Sequence, residues 1–211
     1  MSDREIAGPA GRLVVISAPS GAGKTSLVKA LLERDDNTRF STSYTTRPRR
    51  SGEKDGADYI FVSPQTFAQM AENEAFLEHA TVFDHCYGTS HSQVEALMAA
   101  GHDVLLEIDW QGANLVRKSK SDCLSIFILP PSVEELEHRL RGRSTDSEQV
   151  IRRRLEDAQA DMSHWAEFDY VVINNNFDEA LAELRSVLAG TGESHKTTNS
   201  DLRLRIAEMI V

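Results

Sequence analysis

Cysteine is scarce: the 211-residue chain has two, Cys86 and Cys123, far apart and without CxxC spacing. Neither a disulfide framework nor a zinc site is suggested, and reduced thiols in a cytoplasmic setting are the default expectation. Long apolar runs are missing too. No stretch approaches the roughly 20 residues that span a bilayer, and the polar start Met1-Ser2-Asp3-Arg4-Glu5 leads into no apolar signal core, so no membrane and no export route is expected. Positive charge is in deficit. With 23 Lys and Arg against 33 Asp and Glu the formal charge is -10, which argues against a polymeric nucleic acid as partner, because such binding neutralises many phosphates at once. Internal repeats and long low-complexity tracts are also lacking.

What is present suits one soluble globular domain: 40% apolar and 27% charged residues over 211 positions. Leu13-Val14-Val15-Ile16, Val104 to Ile108, Leu124 to Leu129 and Tyr170 to Ile173 are apolar runs that read as central strands. Helical patterns lie at Lys24 to Leu32, Ser90 to Ala100, Ser132 to Arg141, Ser147 to Glu167 and Asp178 to Leu188, most opened by a Ser or Asp cap. Such alternation predicts an α/β fold, a parallel sheet flanked by helices. The stretch Thr42 to Phe83 breaks the rhythm with short β-prone pieces and one brief helix near Pro64 to Glu72, as an inserted α+β subdomain would. Past Leu188 a Thr-, Ser- and Gly-rich tail ends in a possible short helix from Asp201 to Val211.

The most specific local signal is Ala18-Pro19-Ser20-Gly21-Ala22-Gly23-Lys24-Thr25, set between a predicted strand and a predicted helix. Glycines there let backbone N–H groups turn inward onto phosphate oxygens, and the helix start adds its positive end. Lys24 then reaches the β- and γ-phosphates of a nucleotide, and the Thr25 hydroxyl can ligate Mg²⁺. Ala18 departs from the glycine usual at the first position of this P-loop pattern, a place that only begins the turn. A second local feature is a basic island in an acidic chain: Arg39 to Lys54 holds five basic side chains and one acidic one.

Taken with Thr45-Thr46-Arg47, Arg50, Gly52-Glu53, Gly56, Asp58-Tyr59, Phe61, Phe76-Leu77-Glu78-His79-Ala80, Tyr87-Gly88-Thr89, Leu106 to Gly112, Leu140 to Arg143 and Val172-Ile173-Asn174, the loop makes the chain resemble guanylate kinases of the bacterial type, within the P-loop nucleoside monophosphate kinases, over about residues 12 to 188. The resemblance implies a P-loop NTPase-like core (12-40 and 90-188), a GMP-binding subdomain (41-89), a helical lid (about 139-154) and a tail (189-211). It implies transfer of the γ-phosphoryl group of ATP to GMP, and to dGMP, with Mg²⁺ as cofactor. The ATP-binding set is Ala18 to Ser26 with Asn174 toward adenine; Thr25 and Glu107 face the metal or its waters. The GMP-binding set is Ser43, Arg47, Arg50, Tyr59, Glu78, Tyr87, Thr89 and Asp109, in which guanidinium and phenol groups suit the phosphate and carboxylates suit the guanine N1 and N2 donors. Lys24, Arg47, Arg139, Arg143 and Arg154 would stabilise the charge in flight.

Glu107 and Asp109 sit at alternate positions, which on one strand would point both to one face. Two other functions are weighed. A phosphopeptide-binding module of the same fold would not need Lys24, Thr25 and the lid arginines together. A kinase acting on a ribose bisphosphate would have no use for the base acceptors Ser43, Glu78 and Asp109. Assembly into a homo-oligomer is left open.

Overall fold

The computed structural model describes residues 10–82, 84–142 and 148–210. Five strands form a sheet in the order β2-β7-β1-β8-β9: β1 (Leu13–Ser17), β2 (Thr38–Phe40), β7 (Asp103–Glu107), β8 (Leu124–Leu129) and β9 (Tyr170–Ile173). Neighbours β2 and β7, and β8 and β9, run parallel. Every residue of β1 is buried, as is nearly all of β7, β8 and β9, which is why their sequences read as continuous apolar runs rather than alternating ones. The intervening helices are α1 (Lys24–Leu32), α3 (His91–Ala99), α4 (Trp110–Ser119), α5 (Val133–Arg141), α6 (Glu148–Met162), α7 (Phe177–Leu188) and α8 (Ser200–Met209).

Among the described residues the chain divides into two compact units whose boundary runs through β1 and β7. One takes in residues up to Val14, Asp36–Leu106 and Asn114–Cys123. It contains a second sheet in the order β4-β3-β6-β5, built from β3 (Tyr44–Thr45), β4 (Ile60–Phe61), β5 (Phe76–Val82) and β6 (His85–Ser90). β5 and β6 are an antiparallel pair, and Phe76 of β5 stacks on Phe67 of α2 (Pro64–Glu72) at 4.5 Å between ring centres. Ser63 caps α2 by accepting from Thr66 N, and Pro64 takes the first helical position, where its missing N–H costs nothing. The other unit takes in Val15–Asp35, Glu107–Ala113 and the chain from Leu124 on.

Three expectations need correction. β9 is an edge strand, not a central one; its apolar side chains are protected because the chain past α7 returns beside it, pairing Lys196 with Tyr170 and bonding Thr197 Oγ1 to Phe168 O at 2.6 Å. β7 stops at Glu107, so Glu107 and Asp109 do not share a strand; Asp109 turns to cap α4, its Oδ1 accepting from Gly112 N at 2.7 Å. α4 itself and the three-residue β2 were not foreseen.

Candidate active site

The loop from Ala18 to Gly23 leaves β1 and enters α1. Gly21 and Gly23 have φ of 94° and 91°, the left-handed region that glycine adopts without strain. Both are hemmed in as well. A Cβ on Gly21 would lie 2.9 Å from the Leu136 side chain, and one on Gly23 only 2.4 Å from Asn174 Nδ2. Gly23 is the N-cap of α1 and supplies no side chain, so the first-turn N–H groups have no side-chain cap, and this is the arrangement that receives an anion.

Lys24 Nζ donates to Ile108 O at 2.9 Å, beyond the end of β7. Although the residue keeps some exposed surface, burial of the ammonium pushes its pKa below the ordinary value, against Glu107, Asp109 and Asp161, whose charges hold it up. Thr25 Oγ1 donates to Glu107 Oε1 at 2.5 Å. A hydroxyl and a carboxylate side by side fit a hard cation that takes its remaining ligands from water and phosphate. Among the described residues there is no denser cluster of three His, Cys, Asp or Glu.

Two arginines brace this region. Arg154 of α6 donates to Ser20 Oγ at 3.0 Å, and Arg139 of α5 donates to Asn174 O at 3.0 Å while paired with Glu135 at 2.8 Å. Asn174 is buried and donates its amide to Ala22 O at 2.7 Å. It therefore props the loop from below through its side chain. Arg143, the third arginine expected to act on the transferring group, lies outside the described residues.

In the other unit, Arg47 donates to Glu53 Oε1 at 2.7 Å and to Pro48 O at 2.8 Å, and its guanidinium lies 5.4 Å from the ring centre of Tyr59 and 5.8 Å from that of Phe61. The bond to Glu53 raises the pKa of Arg47 and lowers that of Glu53. Glu53 also accepts from Arg50 N at 2.7 Å, so one carboxylate ties the Arg47 guanidinium to the backbone of Arg50. Tyr59 and Tyr87 meet edge to face at 5.9 Å. Glu78 and Thr89 are cross-strand partners on β5 and β6, both buried, with Thr89 Oγ1 donating to Glu78 Oε1 at 2.6 Å. Ser43 is buried next to β3.

The predicted residues thus fall into two groups. Lys24, Thr25, Glu107, Asp109, Arg139, Arg154 and Asn174 belong with the loop; Ser43, Arg47, Arg50, Tyr59, Glu78, Tyr87 and Thr89 belong with the β3 to β6 sheet. Asp109, expected near guanine, stands in the loop's unit and acts on the charge of Lys24. Sequence reasoning missed Glu53, whose signal was its being the single acid in a basic island, and the backbone acceptor Ile108 O, which no side-chain motif reveals.

Similarity to known proteins extends over most of the chain. The family model described as guanylate kinase matches residues 10–191. The chain is 60% identical over 178 residues to a guanylate kinase of Hydrogenovibrio crunogenus, covering 84% of this chain and 87% of that protein. It is 55% identical over 177 residues to one of Hahella chejuensis, covering 84% and 85%. The crystal structure of guanylate kinase from Anaplasma phagocytophilum superposes with a TM-score of 0.73 at 34% identity, covering 88% of each chain.

Proposed function

The chain belongs to the guanylate kinase family, and from that premise we propose how its residues divide the work. The reaction is phosphorylation of GMP by ATP, yielding GDP and ADP. In the proposed assignment the loop and the first turn of α1 hold the β- and γ-phosphates of ATP through backbone N–H groups. Lys24 follows the transferring group, and Arg139, Arg154 and Arg143 supply cationic donors toward the charge that spreads over its oxygens. Thr25 and Glu107 are the groups that would hold Mg²⁺, which when bound neutralises charge on the phosphates.

GMP is assigned to segment 41–89: Arg47, Arg50, Tyr59 and Tyr87 for its phosphate, and Ser43, Glu78 and Thr89 for its base. The attacking oxygen belongs to an ionised phosphate, so no side chain is needed as general base. Asp109 is assigned to the turn after β7, where it orients α4 and its charge works to hold the Lys24 pKa up. The two nucleotide substrates support a cytoplasmic setting; among the described residues no helix is long and apolar enough to cross a membrane.

The observation that carries this reading is the loop itself, an uncapped helix start with Lys24 beside it and the Thr25–Glu107 pair next in line. A phosphopeptide module would have no use for that construction. The test is a coupled ADP-release assay with GMP, dGMP, IMP, AMP, CMP and UMP as acceptors. GMP and dGMP should be turned over best and IMP more slowly, with AMP and the pyrimidine nucleotides nearly inert. Equal turnover of GMP and AMP would remove the base assignment.

A further inference from the structure

α6 reaches the phosphate loop directly and also through an intermediary. The direct contact is Arg154 with Ser20. Seven residues on, two turns along the same helix, Asp161 accepts a hydrogen bond from Trp110 Nε1 at 2.9 Å. Trp110 opens α4 and stands two residues past Ile108, whose carbonyl receives Lys24 Nζ, and one past Asp109, which caps α4. His164 lies flat on the indole, 3.5 Å between ring centres and 10° between planes, and its Nδ1 meets Glu167. The indole is therefore fixed twice, on its face by an imidazole and at its only polar atom by a carboxylate.

Nothing in the proposed mechanism uses Trp110, Asp161 or His164, yet they hold the segment that aims the lysine. Residues 108–110 offer Lys24 a main-chain acceptor, and a main-chain atom has no rotamer of its own to adjust. Its place is set by whatever holds the neighbouring side chains. Burial also raises the pKa of Asp161, and the Trp110 bond works against that rise, as expected of a half-buried acid whose charged form leans on this donor.

We propose that Asp161 is a positioning residue for phosphoryl transfer: by holding the Trp110 indole it fixes the Ile108–Trp110 segment, and with it the ammonium of Lys24. The inference rests on the reading of Lys24 as the donor-phosphate lysine. A misplacement of about 1 Å at such a group costs up to roughly a hundredfold in rate, whereas a pair that served packing alone would alter stability and leave turnover intact.

The test compares Asp161→Ala, Asp161→Asn, Trp110→Phe and the Trp110→Phe/Asp161→Ala double variant, with Lys24→Met in parallel. kcat and KM for ATP are measured, with GMP affinity by calorimetry. Asp161→Ala should lower kcat about tenfold, inside the range that misplacement explains, with GMP affinity unchanged. Asp161→Asn keeps an acceptor oxygen for the indole and should retain most of the activity. Trp110→Phe keeps a ring on His164 but loses the N–H, so it should match Asp161→Ala, and the double variant should be no worse than either single. In a Trp165→Phe background Trp110 is the sole indole of a chain with two, and its emission should change with Asp161→Ala and not with Asp161→Asn.

Wild-type kcat in Asp161→Ala with only a lower Tm overturns the proposal. So do losses that multiply in the double variant, or an Asn variant as slow as the Ala variant, which would make charge rather than the bond the cause. Retained transfer in Lys24→Met would instead sink the underlying reading of the lysine.

Discussion

Glu78 is a buried carboxylate that accepts from the Thr89 hydroxyl across the sheet. Burying a charge is costly unless it is hydrogen-bonded, and guanine is a ligand that brings donors, at N1 and at the exocyclic amine. Adenine presents an acceptor at N1 and would face the carboxylate badly. A site built this way rejects an analogue lacking the donor by up to roughly 10⁴-fold. In Glu78→Gln the charged acceptor becomes an amide of the same size, so kcat/KM for GMP should fall and the ratio of GMP to AMP should narrow by more than tenfold. A ratio within about threefold of wild type, well under one tenfold step of transition-state binding, would mean that Glu78 does not read the base. At this scale the site was partly legible. Lys24, Thr25 and Glu107 announce themselves through the loop and the strand end, because phosphate binding constrains residue type and spacing together. The partners that hold the site in shape do not: Ile108 gives only its backbone, and Asp161 meets Trp110 across 51 positions of sequence.

Among the elements, the starts of β1 and β7 are joined by a polar clamp. Asp103 Oδ1 accepts from Arg12 N at 2.8 Å and Oδ2 from Arg12 Nη2 at 2.6 Å. Burial works against the Asp103 carboxylate, but the bonds from Arg12 outweigh it and hold the pKa below the ordinary value. The stabilisation is complete above the unfolded-chain pKa of about 3.9 and is lost as pH falls through the lower folded value. Arg12 is half exposed, so the clamp contributes about 1 kcal/mol rather than the upper range for charged hydrogen bonds. Asp103→Asn should therefore unfold at lower urea than wild type at pH 7, and the two midpoints should converge as pH falls below the ordinary carboxylate range; a constant offset down to that range would remove the ionic account. The sequence showed β1, β7 and β8 because burial on both faces makes them uniformly apolar. It misjudged β9 for the same reason, since an edge covered by the returning tail is as apolar as a centre. It missed α4 because the helix begins inside the Ile108-Asp109-Trp110 turn, where no apolar periodicity has yet built up.

For the molecule as a whole, the family match ends at residue 191, whereas the fold continues into α8. Ile206 is fully buried, Leu202 nearly so, and Arg203 reaches back to Thr197 O at 3.1 Å with its guanidinium 5.2 Å from the Trp165 ring centre. The tail thus helps to cover the β9 edge, and none of its residues is among those assigned to ATP or GMP. Ile206→Ala should cost about 2–4 kcal/mol and lower Tm by roughly 5–10 °C, leaving kcat at 25 °C within about twofold of wild type. An unchanged Tm would show that α8 does not pack as described. In the proposed assignment one chain holds its two substrates with separate sets of residues, the donor phosphates with the loop and Lys24, the acceptor with Arg47, Arg50 and Glu78. This assignment is tested most directly by Lys24→Met, with single-turnover transfer and calorimetric GMP binding measured on the same preparation. Transfer should fall by at least about a thousandfold, the scale of losing a main electrostatic group, with GMP affinity within about twofold of wild type. Loss of GMP affinity equal to the loss of rate would contradict it.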